Sequence, residues 1–97
     1  MNATKFENYL KNKTYISKGQ IQNYTTAATQ KRIASLSKVE KAFNFDIDSI
    51  ITDRKKVVKL LNDIRIRNLE NKTHTPLSNA VRHYYECITG DKIDRIF

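Results

Sequence analysis

Apolar positions recur at helical spacing over most of the chain, and polar capping residues mark where each run begins and ends. Phe6, Tyr9 and Leu10 form one stripe, and Thr4 ahead of them with Glu7 three residues later reads as a capping box. A helix is therefore expected over about 4–11. After a short link at Lys13 and Thr14, Tyr15-Ile16 reads as a hydrophobic staple, Ser17 as a cap and Gln20 as the closing residue of a second box. Ile21, Tyr24, Thr25 and Ala28 then share one helical face, whereas Ile33, Leu36, Val39 and Phe43 share another, rotated by about 90°. The spacing predicts two helices, about 18–28 and 31–43, broken at the threonines Thr25, Thr26 and Thr29.

Asn44 can end the second of these in a left-handed cap, and Phe45–Ile51 reads as a short helical turn whose apolar residues plug the core. Asp53 caps a helix over about 54–70 with Val57, Leu60, Leu61 and Ile64 inward. Asn71 to Thr75 reads as a loop. Thr75-Pro76 is a cap followed by proline, opening a last helix that runs to about Thr89 and stops at Gly90. Its buried face is expected to hold Leu77, Ala80, Val81, Tyr84 and Ile88, with Tyr85 at the margin. The tail carries Ile93, Ile96 and Phe97, which either fold back or lead elsewhere. The expected fold is all-α, a compact bundle of about five short helices in one domain, 1–97.

Composition agrees with helix: two Gly and one Pro are too few to punctuate a many-stranded β fold, and 39% hydrophobic residues suit a globular chain. Charge adds direction. Eighteen Lys plus Arg against ten Asp plus Glu give +8 and a pI near 9.8, which raises the local concentration of polyanions. Nucleic acid is the first expectation and an acidic protein surface the second. The lone Cys87 cannot form an internal disulfide, which fits a reducing compartment and a cytoplasmic location. No apolar run approaches the length of a membrane span, and the start of the chain lacks a signal-peptide core, so no membrane association is expected. Four Asn-x-Thr triplets carry no glycosylation argument without a secretion signal. Richness in Asn, Lys, Ile and Tyr points to an AT-rich coding sequence of the bacterial or phage kind.

Enzymatic patterns are missing: no glycine-rich phosphate loop, paired-cysteine zinc motif or nucleophile elbow occurs. His83 and Cys87 share a helix face, but the reading preferred is an exposed histidine above a half-buried thiol. Asp46, Asp48 and Asp53 lack the spacing and glycine of a calcium loop and read as caps. A non-catalytic protein with no cofactor and no metal is expected.

Polar faces are more informative. Lys18, Gln22 and Asn23, with Thr26 and Thr29, would line the side of the second helix opposite Ile21 and Tyr24, and Gln and Asn can address adenine edges. On the last helix Asn79, Arg82, His83 and Glu86 form the expected solvent face, with the first three within one turn. Arg54, Lys55, Lys56 and Lys59 open their helix, where cations oppose the macrodipole, which suggests that they serve a ligand. Lys31, Lys38 and Lys41 line the outer side of the preceding helix, and Arg65 and Arg67 follow later. The candidate nucleic-acid contacts are thus Lys18, Gln22, Asn23, Lys31, Lys38, Lys55, Lys59, Asn79, Arg82 and His83.

Three pieces, Phe6-x-x-Tyr9-Leu10, Tyr15-Ile16-Ser17-x-x-x-Ile21-x-x-Tyr24 and Leu77-Ser78-Asn79-Ala80-Val81-Arg82-x-Tyr84-Tyr85, give the order of signals a resemblance to a known family. It resembles the helical N-terminal core-binding (SAM-like) domain of phage-type integrases, the tyrosine recombinases. That resemblance implies a domain that clamps one side of duplex DNA, with Lys18, Asn23 and Arg82 near the DNA. The arginines, histidine and tyrosine of the recombinase catalytic domain have no counterpart here, so what it implies is a DNA-binding module without that chemistry. The alternative is a phage- or plasmid-encoded inhibitor or adaptor that binds a protein, such as a nuclease complex. DNA binding requires the basic residues to converge on one side, whereas protein binding calls for an exposed apolar patch, for which Ile66, Ile96 and Phe97 are candidates.

Overall fold

The computed structural model describes residues 1–71 and 74–93, with Ile16 and Ser17 described through their backbone alone. Its first helix, α1 (Ala3–Asn12), begins slightly earlier than expected because Asn2, not Thr4, is the cap: the Asn2 carboxamide accepts the Lys5 N–H at 3.1 Å. Phe6 and Leu10 are buried and Tyr9 is half-buried.

The helix expected over 18–28 does not form. Instead β1 (Thr14–Ser17) and β2 (Gln20–Asn23) make an antiparallel hairpin, with Thr14 opposite Asn23, Tyr15 opposite Gln22, Ile16 opposite Ile21 and Ser17 opposite Gln20. The turn is Lys18-Gly19, at φ of 53° and 77°, the two successive positive values that a type I′ turn requires. Glycine supplies such a value without steric cost, whereas in a helix it would cost about 1 kcal/mol relative to alanine. Threonine, tyrosine and isoleucine on both sides of the turn favour the extended backbone. Ile21, expected to share a helical face with Tyr24, Thr25 and Ala28, is 77% exposed on the hairpin.

Thr25 is a cap rather than a break. Its hydroxyl accepts the Ala28 N–H at 3.0 Å, and α2 (Thr26–Phe43) runs without interruption through Thr29, which is fully buried. Leu36 and Val39 fill the core from this helix, with Ile33 and Phe43 packed at its edge. Asn44 ends it in the left-handed region, φ 53° and ψ 57°, as expected. A short 3-10 turn (Ile47–Ser49) buries Ile47, and Asp53 then caps α3 (Arg54–Ile66) by accepting from the Lys55 and Lys56 amides. That helix stops at 66 rather than 70 because Asn68 adopts φ 57°. The Leu69 N–H reaches the Ile64 carbonyl at 3.3 Å and the Asn68 N–H the Arg65 carbonyl at 3.1 Å, a Schellman closure.

The last helix, α4 (Pro76–Thr89), starts and stops as expected, with Gly90 at φ 78°. Its cap differs. Thr75 makes no side-chain cap bond, and the Glu70 carboxylate instead accepts the Leu77 N–H at 2.8 Å, the Ser78 N–H at 3.2 Å and the Ser78 hydroxyl. Leu77, Ala80, Val81 and Tyr84 are buried as expected; Tyr85 is buried too, not marginal, and Ile88 is only half-buried.

The molecule is therefore mostly helical. Among the described residues there are four α-helices, a 3-10 turn and one hairpin, rather than about five helices. One buried cluster joins residues of all four helices with Ile47, Ile51 and Ile93; Ile96 and Phe97 lie outside the described residues. A polar knot closes one end. The N-terminal ammonium of Met1 meets Glu40 at 3.4 Å, Asp46 at 3.1 Å and Asp48 at 3.2 Å. Glu40 also accepts the Ile47 N–H at 2.9 Å. The fully buried Tyr84 accepts the Asn2 N–H at 2.8 Å and donates its hydroxyl proton to Asp48. Among the described residues no helix is long and apolar enough to cross a membrane.

Candidate nucleic-acid interface

α2 and α4 pack against one another, and beside the start of α4 they leave a groove of about 480 Å³. Lys31, Arg32, Ser35 and Lys38 line it from α2, where residues three and four apart share a face, Pro76 and Asn79 line it from the start of α4, and His74 from just ahead of that helix. Among the described residues no carboxylate lines this groove. The only acid of α2, Glu40, is engaged by the Met1 ammonium and the 3-10 turn. Glu70, which caps α4, already satisfies the Leu77 and Ser78 amides, so that helix end offers an anion less than its dipole alone would.

Of the residues expected from sequence, Lys31, Lys38 and Asn79 meet in this groove. Arg82 stands one turn further along α4 and donates to the Asn79 carboxamide oxygen, which fixes both side chains. Lys18 occupies the hairpin tip, and Gln22 and Asn23, also exposed, lie on opposite faces of β2 rather than on one helical face. Lys55 is exposed on α3. Lys59 lies elsewhere, beside a smaller groove lined by Phe43, Phe45 and Ile50, and pairs with Asp63 at 3.2 Å.

His83 is a correction. The helical pattern puts it on the solvent face, but its ring is largely covered, its Nδ1 is buried with no hydrogen-bond partner, and the Tyr24 ring stands edge-on to it at 6.0 Å. Burial, followed by the positive charges of Arg32 and Lys13, pulls its pKa down to about 4, so at neutral pH it is uncharged. Glu86 is likewise engaged inward: it holds Lys13 at 3.2 Å, and hydrogen bonds from Tyr9 and Lys13 outweigh its burial and keep its pKa low. Burial raises the pKa of the neighbouring Cys87, whose thiol lies 3.8 Å from the Lys5 carbonyl. Asp46 and Asp53 are caps, as expected, and Asp48 accepts from Tyr84.

Sequence reasoning missed Arg32 and His74. Arg32 is the junction of the site: it lines the groove, and its guanidinium lies 5.7 Å from the centre of the Tyr24 ring at the base of the hairpin. A signal for it is present in the sequence. Between Glu7 and Glu40 the chain has no acidic residue, while Lys11, Lys13, Lys18, Lys31, Arg32 and Lys38 all fall in that interval. The hairpin and most of α2 are thus built from an acid-free stretch.

The protein-binding alternative finds less on the described surface. Ile66 and Leu69, 67% and 39% exposed, lie near the end of α3, and Ile21 stands apart on the hairpin. No protein-family model, curated protein or solved structure matches this chain.

Proposed function

We propose that this protein binds duplex DNA without catalysing a reaction on it, seating the phosphate backbone in the groove between α2 and the start of α4. The observation that carries this reading is the charge of that groove: Lys31, Arg32 and Lys38 line it together with His74 and Asn79, and among the described residues no acid does. Phosphates need cations that are not already neutralised, and among the described residues neither Lys31 nor Lys38 has a carboxylate partner. Asn79 and Arg82, braced against each other, supply hydrogen-bond donors at the groove edge.

A role like that of the integrase core-binding domain is compatible with this arrangement, including its SAM-like character. The Tyr15–Tyr24 stretch, however, is a hairpin in this chain, so the proposal rests on the groove and not on that likeness. The phage or mobile-element setting and the cytoplasmic location belong to the same proposal.

The test is a fluorescence-anisotropy titration against a random-sequence duplex at two salt concentrations. Wild type is expected to bind with micromolar affinity that falls steeply with salt. Lys31→Ala/Lys38→Ala should weaken binding and lower the salt slope by about two, close to one for each lysine that no longer neutralises a phosphate. Lys55→Ala/Lys59→Ala should do less. Absence of binding at low salt overturns the proposal and leaves a protein partner, with the Ile66 and Leu69 surface as its starting point.

A further inference from the structure

We infer that the β1–β2 hairpin is an arm that enters the major groove of the bound duplex, with Gln20 and Gln22 facing the base edges. This rests on the DNA reading above and adds to it the element that reads the bases.

A two-stranded hairpin is marginal on its own, and a folded chain normally backs it with a third strand or a helix. Here every side chain of β2 is exposed, and at the base of the ribbon the Tyr24 ring meets His83 of α4. Its two faces differ. Strand alternation puts Tyr15, Gln20, Gln22 and Tyr24 on one side, and the Tyr15 hydroxyl 3.3 Å from Gln22 Oε1 and the Tyr15–Tyr24 ring contact at 4.8 Å agree with that placement. Ile21 and Asn23 stand on the other side.

The glutamine face is continuous with the proposed phosphate groove, because Tyr24 carries the Arg32 guanidinium on its ring and Arg32 lines that groove. A duplex held by the α2 cations therefore meets the glutamine side of the ribbon. Its charge is complementary: the ribbon has no acid, and its tip is Lys18. Its size also fits. Four extended residues span about 13 Å, more than the roughly 8.5 Å depth of the major groove, which is wide enough to admit a two-stranded ribbon. Glutamine side chains pair through both amide atoms with adenine in that groove. Tyr15 holds the Gln22 carbonyl oxygen, which orients its amide before any ligand arrives.

The experiment uses the full chain and a fluorescein-labelled random-sequence duplex, with methyl green as a major-groove competitor and netropsin as a minor-groove one. Methyl green is expected to displace the protein and netropsin to leave it bound. Gln20→Ala/Gln22→Ala should weaken binding about tenfold, the scale of one side chain–base pairing, while leaving the salt slope unchanged because no charge is removed. Ile21→Ser, on the other face, should bind like wild type. It also guards against a trivial loss of the hairpin, which would lower both variants together. Displacement by netropsin but not methyl green, unaltered binding of the glutamine variant, or equal loss in Ile21→Ser each overturns the inference while leaving the groove reading intact. Failure of wild type to bind any duplex overturns the groove reading itself, and the arm with it.

Discussion

Replacing Tyr84 with phenylalanine separates the packing of this side chain from its hydrogen bonds. The ring is fully buried and stands edge-on to Phe6, with centroids 5.1 Å apart, and phenylalanine keeps that contact. What goes is the hydroxyl, which accepts from the Asn2 amide at 2.8 Å and donates to the Asp48 carboxylate. A neutral bond contributes about 0.5–1.5 kcal/mol and one to a charged group about 1.5–3 kcal/mol. Asn2 and Asp48 are exposed, so water can replace part of that stabilisation, and the net cost should be about 2 kcal/mol. For a chain of this size that is a fall in Tm of about 8–16 °C. Thermal and urea unfolding followed by circular dichroism measure it, with an unchanged m-value confirming that both states are otherwise the same. Asp48→Asn alone and together with Tyr84→Phe closes a double-mutant cycle, and the coupling should exceed about 0.5 kcal/mol. A cost below about 0.5 kcal/mol for Tyr84→Phe, or additivity in the cycle, would refute the claim that this hydroxyl ties the chain start to the 3-10 turn.

Glu70→Ala removes the carboxylate that caps α4 and should cost about 1–2 kcal/mol in urea unfolding, whereas Glu70→Gln, which keeps an acceptor, should cost less. His83 makes stability pH-dependent. Its folded pKa, about 4, lies below the ordinary 6.5, so between those values the unfolded chain takes up a proton that the folded chain refuses, and stability falls as pH drops from 7 towards 4. The loss should be on the order of 1–3 kcal/mol, and a urea series across that window should show it shrinking in His83→Leu. Thr29→Val replaces a buried hydroxyl that has no hydrogen-bond partner with a methyl group of similar shape, and should raise the unfolding free energy by about 1 kcal/mol; a fall would mean that the hydroxyl is satisfied in solution.

The second half of the fold is legible in the sequence because local and tertiary signals agree there. Asp53, Thr75-Pro76 and Gly90 stand where the helices begin and end, and the i, i+3, i+4 spacing of Val57, Leu60, Leu61 and Ile64 has a single helical interpretation. In the first half two periodicities compete. Ile21 and Tyr24 are three apart, which imitates a helix face, while Tyr15–Ser17 and Gln20–Gln22 around Lys18-Gly19 also fit two short strands and a turn. Gly19 decides between them, since it would fall in the first turn of the expected helix but is suited to a positive φ. The candidate site is legible in the same measure. Lys31, Lys38 and Asn79 are readable from helical spacing and do converge, whereas that spacing puts Lys18, Gln22 and Asn23 on the wrong element. His83 reads as a surface residue because nothing in its neighbours along the chain shows that Tyr24, distant in sequence, covers it.

The two signs of charge serve different ends in this molecule. Glu7 pairs with Lys11, Glu86 with Lys13 and Asp63 with Lys59, while Glu40, Asp46 and Asp48 gather on the Met1 ammonium and Asp53 and Glu70 cap helices. These carboxylates are thus engaged in holding the fold, at helix ends and chain junctions where a carboxylate answers unsatisfied amides or an ammonium. The cations of the groove hold nothing comparable: Lys31 and Lys38 stand on the outer side of a helix already anchored by Leu36 and Val39. Charge that contributes little to stability yet stays concentrated in one acid-free groove, in a chain already at +8, repels itself in the free protein, a repulsion that the polyanion of the proposed function would relieve. The same separation makes the proposed binding groove and the stabilising network addressable by different substitutions, so a loss of DNA binding in Lys31→Ala/Lys38→Ala with unchanged unfolding would speak to the groove alone.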